Sequence, residues 1–439
     1  MRVIVIGAGE VGTAIAEALY RENDVVVIER DHVRYELLQS LDILVVEGNG
    51  SSAKTLVEAG VDNADLLIAC TEIDEVNIVA CAAAKQLSAL RTVARVQDPD
   101  YLLHWHQGYL GVDFMVCNEL ITAKAIAMNL DMPEAKQVNE FAGGKIWMTE
   151  IDVRKGSAVA GLTVQESHVP AGCTVVSLIR TGQIIIPAGD DIILEGDLLV
   201  NLGTPEAVTR FNARLCGTKS LRKVVIVGGG RIGYRLASVL EDKGLAPYLI
   251  EADPERCVWL SERLQRTLVL NHDGTDVAFL EREKIPTADV AVNVTPTDEK
   301  NLLCALLLKH LGVQHVIAQV DQPSHLRAFE VVGVDMAINP RKLIAEEIIR
   351  FTRKSGTEAI SLLEEDRAEV LELEIPQTSP VVGRTLDEKF FPPGTIVGAI
   401  VRGGRVIIPR GQDKLLPGDH AMVFAIQSQL KAVEALVHT

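Results

Sequence analysis

Short runs of wholly apolar, mostly β-branched residues recur along the chain, separated by stretches whose apolar positions fall three and four apart. Val3–Ile6, Val25–Ile28, Leu44–Val46, Leu66–Cys70, Thr92–Val96 and Phe114–Val116 read as strands buried on both faces. The stretches between them, beginning with Val11–Arg21, read as helices, so this part is predicted to be a parallel sheet covered on both sides. A further helix is expected over Glu119–Leu130. After Met132-Pro133 the pattern changes to short alternating runs broken by Gly and Pro, most clearly over 145–203. The turn pairs Thr181-Gly182 and Gly196-Asp197 predict a small hairpin-rich α+β lobe, closed by a helix over 204–215.

The whole pattern then repeats. VIVIGAGEVG from Val3 returns as VVIVGGGRIG from Val224, which places Gly7 opposite Gly228 at an offset of 221. Asn63–Asn77 returns as Thr287–Asn301 at 224, and the segments 184–197 and 406–419 match at 222. Small changes of offset belong to loops that absorb insertions. The expected fold is therefore α/β: two Rossmann-like doubly wound parallel-sheet domains, each followed by a small α+β lobe, in tandem duplication. The expected boundaries are 1–118, 119–139 (crossover helix and linker), 140–216, 219–339, 340–366 (second crossover helix and linker) and 367–439. The second copy should have a helix over Pro340–Lys354, and its small lobe should end in a helix over 427–437. Polar linkers are expected near 217–222 and 355–367.

Charge narrows the function classes. With 43 Lys and Arg against 60 Asp and Glu, the net charge of −17 repels phosphate backbones and anionic lipid, so neither nucleic-acid binding nor direct lipid insertion is expected. Seven scattered cysteines without a CxxC pair fit a reducing compartment rather than a disulfide framework or zinc cluster. The opening MRVIVIGAGE reads as a strand running into a glycine turn rather than a secretory signal, and no apolar run reaches the ~20 residues of a spanning helix. A cytoplasmic location is expected.

The glycine turns carry the candidate chemistry. Gly7-Ala8-Gly9-Glu10-Val11-Gly12 and Gly228-Gly229-Gly230-Arg231-Ile232-Gly233 each follow a strand and open a helix. Such a loop needs glycine to turn tightly, to let a pyrophosphate reach the backbone and to pack helix on strand, while the helix start offers free N–H groups to phosphate. An acid ends the next strand in each copy, Glu29 and Glu251, where it would accept ribose hydroxyls and favour NAD over NADP. Arg30 softens that preference. Glu10 and Arg231 occupy equivalent positions with opposite charge, which predicts NAD(H) at the first site and tolerance of ATP or ADP at the second.

Other positions keep two readings. Thr71 and Thr295 end the fourth strands, where a hydroxyl could face a ligand, and Glu72 follows Thr71. Asp74, Glu75 and Asn77 read first as helix-capping residues. Arg95, inside an apolar strand, either pairs with a buried acid or reaches the ligand; its counterpart is Gln319. Asn49 and Asp273 are either turn residues or contacts on the adenosine side. His104 and His106 lack a third metal ligand at helical spacing, and no nucleophile–base set has supporting context, so neither a metal nor a catalytic residue is expected.

On these motifs the chain resembles the regulator-of-potassium-conductance (RCK) family in its tandem, Trk-system form. The residues concerned are GAGEVG, GGGRIG, the stretch from Glu47 to Asp65, TEIDEVN, TPTDEKN and the paired PAGDD…EGD and PRGQD…PGD segments. The resemblance covers essentially the whole chain. It implies a cytoplasmic, non-enzymatic regulatory subunit, peripheral on the inner membrane, that gates a membrane potassium-translocating subunit (TrkH/TrkG-like) in response to NAD(H) or ATP. It also implies self-association of two chains into a ring of four RCK modules. By the family pattern Gly7 to Val11, Glu29, Thr71, Glu72 and Arg95 would bind NAD, as would Gly228 to Ile232 and Glu251. Asn271-His272-Asp273, Pro296 and Gln319 depart from that pattern in the second copy. Rival readings are a regulator of another cation transporter such as a cation/proton antiporter, an NAD-dependent oxidoreductase, and a scaffold with vestigial pockets.

Overall fold

The computed structural model describes residues 1–21, 23–38, 43–132, 135–216, 223–352, 357–363 and 368–438. They form two compact units, Met1–Ala127 with Leu221–Thr352, and Met128–Ser220 with Arg353–Thr439. The first collects both parallel-sheet domains and the second both small lobes.

The first domain alternates β1 (Arg2–Ile6), α1 (Glu10–Leu19), β2 (Asp24–Glu29), α2 (His32–Leu38), β3 (Leu44–Glu47), α3 (Ala53–Glu58), β4 (Leu66–Ala69), α4 (Asp74–Leu87), β5 (Arg91–Val96), α5 (Asp100–His106), β6 (Phe114–Cys117) and α6 (Asn118–Asp131). Its strands run parallel in the order β3-β2-β1-β4-β5-β6. That order places the reversal of winding between β1 and β4, the position where open α/β sheets leave a crevice for ligands. Each strand buries alternate residues on opposite faces. Ile4, Ile6, Val26 and Ile28 pack against Leu56, Ala80, Cys81 and Ala84 on one side. Val3, Val5, Val25 and Val27 pack against Ile15, Ala16 and Leu19 on the other. Each such side chain withdrawn from water contributes roughly 1.5–3 kcal/mol.

The first small lobe consists of β7 (Ala135–Phe141), β8 (Ile146–Asp152), β9 (Cys173–Arg180), β10 (Gln183–Ile185), β11 (Leu198–Gly203) and α7 (Pro205–Cys216). The second parallel domain has β12 (Val224–Val227), α8 (Arg231–Asp242), β13 (Tyr248–Glu251), α9 (Pro254–Ser261), β14 (Leu268–Asn271), α10 (Val277–Arg282), β15 (Val290–Asn293), α11 (Asp298–Leu311), β16 (His315–Gln319), α12 (Leu326–Val331), β17 (Met336–Ile338) and α13 (Pro340–Thr352). Its strand order repeats the first, β14-β13-β12-β15-β16-β17. The second small lobe has β18 (Thr357–Leu363), β19 (Ala368–Glu374), β20 (Thr395–Arg402), β21 (Arg405–Ile407), β22 (His420–Ile426) and α14 (Leu430–His438).

Both regions expected as linkers contain a strand. β7 lies partly within 119–139 and pairs antiparallel with β8, while β18 lies within 340–366 and pairs with β19. Both are edge strands, held by backbone hydrogen bonds along one side, so AKQVNEF and TEAISLL need no fully apolar run to form them. The linker expected at 217–222 lies outside the described residues, as do Pro133, 353–356 and 364–367.

Two packing arrangements join the copies. Ile344, Ala345 and Ile348 of α13 are buried in the core of the first domain beside Ile15, Ala16 and Val116, so the second copy's crossover helix completes the first copy's sheet face. Phe351 stacks on Phe114 with ring centroids 4.5 Å apart. In the other unit the two small lobes share one core, in which Phe141, Met148, Val176 and Val200 meet Val370, Ala399, Met422 and Phe424. Each lobe also contains a fork: Arg180 donates through Nε and Nη2 to Asp197, and Arg402 does the same to Asp419, all at 2.8 Å.

Candidate functional site

The first glycine loop folds tightly because two of its residues cannot carry a side chain. Gly7 has φ +96°, in the left-handed region, and a Cβ on Gly12 would lie 1.9 Å from the Gly7 carbonyl oxygen. Gly228 (φ +109°) and Gly233 repeat both features, again with a 1.9 Å approach. Gly9 and Gly230 have extended backbone and start α1 and α8, so Val11 and Ile232 fall in the first helical turns. The end of β2 locks the loop from beneath. Glu29 is buried, and its carboxylate accepts the Ala8 amide at 2.5 Å and the Arg30 and Asp31 amides at 2.8 Å. Glu251 accepts the Gly229 amide at 2.7 Å and the Asp253 amide at 2.8 Å. Both acids therefore fix the loop.

A cleft of about 260 Å³ opens above the first loop. It brings together Gly7, Gly9, Glu10, Val11, Glu29, Asn49, Thr71, Glu72 and Arg95 from the sequence-predicted set. Ala8 and Gly12 support it from behind, through the Glu29 bond and the Gly7 approach. Arg30, Arg34, Arg95 and Arg341 supply four guanidinium groups to the lining, against the carboxylates of Glu10, Glu29 and Glu72. In a chain of net charge −17 this is a local basic site, suited to a small anionic ligand.

Arg95 lies within electrostatic reach of the buried Glu119 and also lines the cleft, so both of its expected readings stay open. Its Nε is buried and has no hydrogen-bond partner among the described residues, and the side chain lines the cleft. A buried, unpaired guanidinium nitrogen at a cleft wall fits a phosphate or ribose oxygen arriving from outside. Thr71 takes a different role from the one expected. Its hydroxyl bonds Asn77 Oδ1 at 2.7 Å, and buried Asn77 also donates to the carbonyls of Thr71 and Arg95, tying β4 to β5. Thr295 and Asn301 repeat this arrangement. Asp74 accepts the Gln97 and Asp98 amides rather than capping its own helix. Asn49 accepts from Ser51 N and Oγ, and Asp273 from Thr275 N and Oγ1 and from Lys300 Nζ, so both are turn residues; Asn49 also lines the cleft. Burial pushes the Cys70 thiol beside Gly12 up to about 12.

The second loop has a different surround. Arg256 Nε donates to the Gly229 carbonyl at 2.7 Å, and its guanidinium lies 3.9 Å over Trp259. Burial lowers the Arg256 pKa below its ordinary value. Gln319, the counterpart of Arg95, bonds Asp321 at 2.9 Å. The cation at the fifth strand is therefore replaced by an amide already engaged.

Glu10 and Arg231 are both engaged by residues of the other copy. Glu10 is ion-paired with Arg341 of α13, so its carboxylate does not stand uncompensated beside the phosphate position. Arg231 hydrogen-bonds Gln97 and lies 3.8 Å from Glu119, both in the first domain. Glu119 and Arg341 are themselves equivalent at the repeat offset of 222. The two copies thus carry one cross-copy ion pair at matching places with the charges exchanged. Arg341, Glu119, Arg34 and Gln97 were missing from the sequence-based site; the sign reversal at 119 and 341, mirroring that at 10 and 231, was the signal for the first two. Among the described residues no cluster of His, Cys, Asp and Glu is arranged to hold a metal, and no helix is long and apolar enough to cross a membrane.

Known proteins share this organisation. The TrkA-N domain family matches residues 3–118 and 224–340, and the TrkA-C domain family matches 148–215 and 370–438. The chain is 40% identical to the Trk system potassium uptake protein TrkA homolog 1 of Methanosarcina mazei over 99% of both chains. It is 32% identical to the Trk system potassium uptake protein TrkA of Haemophilus influenzae, covering 97% of this chain and 95% of that one. Among solved structures, the GsuK RCK domain (TM-score 0.62, 20% identity, 99% of this chain and 94% of that one) has the same fold. So does the GsuK channel bound to NAD (TM-score 0.62, 19% identity, 99% of this chain and 78% of that one). With both domain types present twice and full-length identity at this level, the chain belongs to the TrkA family of Trk-system potassium uptake proteins.

Proposed function

We propose that this chain is the nucleotide-binding regulatory subunit of a Trk-type potassium uptake system, and that it gates a membrane potassium-translocating subunit (TrkH/TrkG-like) from the cytoplasmic face of the inner membrane. NAD(H) occupies the first cleft. Its pyrophosphate lies over Gly7–Val11, its ribose faces Glu29, and Arg95 and Thr71-Glu72 border the remainder. An adenine nucleotide, ATP or ADP, is the ligand we assign to the loop Gly228–Gly233 with Glu251, beside the Arg256 guanidinium. The observation that carries this reading is the buried, unpaired Nε of Arg95 in a cleft that also holds a strand-anchored glycine loop.

The role is regulatory rather than catalytic. Beside the cleft, the Thr71 hydroxyl is bonded to Asn77 and the Cys70 thiol is held protonated, so both serve the fold instead of proton transfer. Nucleotide can shift the partner's gating only through different affinities for two arrangements of the regulator. The chain already contains two RCK modules, and pairing of two chains supplies the four of a ring. Titrating NADH into the full-length chain by calorimetry tests the ligand assignment. Saturable binding that Arg95→Gln weakens supports it, and no heat at any nucleotide concentration refutes it.

A further inference from the structure

We infer that Arg341, contributed by the second copy, is a phosphate-recognising residue of the first cleft, and that Glu10 holds it in reserve. The inference rests on the nucleotide reading above and extends it: beside NAD(H), the first cleft would also admit an adenine nucleotide that carries a terminal phosphate.

Three observations converge. Arg341 lines the cleft next to Gly9, Glu10 and Val11, at the end where the glycine loop would receive phosphate. It is the second residue of α13, whose Ile344, Ala345 and Ile348 are buried in the first domain, so its backbone is fixed there. Among the described residues its guanidinium has a carboxylate and one carbonyl as partners: it is ion-paired with Glu10 and its Nη1 donates to the Asp321 carbonyl at 3.4 Å. Partial burial lowers its pKa from the ordinary value, the expected direction for a cation that lacks full hydration.

A guanidinium presents a planar fork of donors that matches a phosphate as well as a carboxylate. Glu10 is more than half exposed and can turn to water, whereas Arg341 is anchored. A terminal phosphate beyond the pyrophosphate would therefore displace Glu10 from Arg341, without moving the helix. Two consequences of opposite sign follow. Removing the arginine should erase the preference for additional phosphates, and removing the carboxylate should raise it, because phosphate no longer competes with Glu10. The first site is then completed in trans by the second half of the chain, and its occupancy is felt directly at the start of α13.

The test is calorimetric titration of AMP, ADP and ATP into the full-length chain, comparing wild type, Glu10→Gln, Arg341→Gln and the double variant. The readout is the ratio of ATP to AMP affinity at the site whose affinity Arg95→Gln lowers. The ratio should fall about tenfold in Arg341→Gln and rise severalfold in Glu10→Gln, and the double variant should match Arg341→Gln. Unchanged ratios in Arg341→Gln and Glu10→Gln, with nucleotide still bound, overturn the role of Arg341 alone. Absence of any nucleotide binding to the wild type overturns the underlying site assignment as well. Glu10→Gln changes one exposed side chain at the start of α1, so it remains informative if Arg341→Gln folds poorly.

Discussion

Glu29 Oε2 accepts the Ala8 amide at 2.5 Å, so the acid that ends the second strand holds the glycine loop in shape before any ligand is present. Its other oxygen takes the Arg30 and Asp31 amides. The carboxylate thus organises the loop, and in the proposed binding mode it also accepts the ribose hydroxyls. Replacing it with an amide puts an N–H where an acceptor is required. Glu29→Gln is expected to weaken NADH binding about 10- to 100-fold, the cost of about one to two charge-assisted hydrogen bonds. A fluorescence titration of NADH checks this, and a change of less than twofold would contradict it.

The two loops make a steric prediction with an internal control. Gly12 and Gly233 face the carbonyls of Gly7 and Gly228 at a distance no Cβ can occupy, whereas a Cβ on Gly230 meets nothing within 4 Å. Gly12→Ala and Gly233→Ala should each lower the melting temperature of the chain by several degrees, a loss of a few kcal/mol. Gly230→Ala should leave it within about one degree. Differential scanning calorimetry on the three variants decides this, and equal effects would mean that the loops are looser than described.

The forks in the small lobes should be costly to break. Asp197 is 1% exposed and accepts Arg180 Nε and Nη2 together with the Leu194 amide. Removing the arginine leaves a buried carboxylate with one bond, so Arg180→Ala should destabilise the lobe by about 3 kcal/mol. Arg180→Lys, which cannot form the fork, should recover less than half of that. Urea unfolding gives both numbers. A loss below ~0.5 kcal/mol for Arg180→Ala would show that water reaches Asp197 freely.

Alkaline pH should weaken the fold through its thiols. Burial pushes Cys70 and Cys173 up to about 12 and Cys304 up to about 11, from an ordinary 9.0. Above pH 9 the unfolded chain releases these protons while the folded chain retains them, so stability is intact below pH 9 and declines as pH rises towards 11 and 12. The slope is up to ~1.4 kcal/mol per pH unit for each thiol. Unfolding midpoints measured at pH 8, 9.5 and 10.5 should fall, and less steeply in Cys70→Ala. Identical slopes in both proteins would contradict the burial of Cys70.

The parallel domains were legible because their strands are buried on both faces, so Val3–Ile6 and Val224–Val227 announce themselves as apolar runs. The duplication, the glycine loops and the acids Glu29 and Glu251 followed from spacing alone. Edge strands β7 and β18 were hidden because backbone pairing on one side places little demand on side chains. The roles of Asp74 and Glu10 could not be read locally, since each depends on a partner far along the chain, the amides after β5 and Arg341 in the other copy; that of Thr71 depends on how the turn after β4 brings the nearby Asn77 against it. Arg341 itself entered the first cleft through a helix more than three hundred residues away in sequence.

The central claim is that the first cleft couples nucleotide to potassium uptake, and Arg95→Gln tests it with least disturbance, because it installs the residue found at the equivalent place in the second copy. Potassium uptake at limiting external potassium should be measured in cells lacking the chromosomal copy and supplied with wild type or Arg95→Gln at equal protein level. Wild type should restore uptake, and the folded variant, with weakened NADH binding, should not restore its normal rate. Equal uptake from both, with NADH binding lost in the variant, would contradict it.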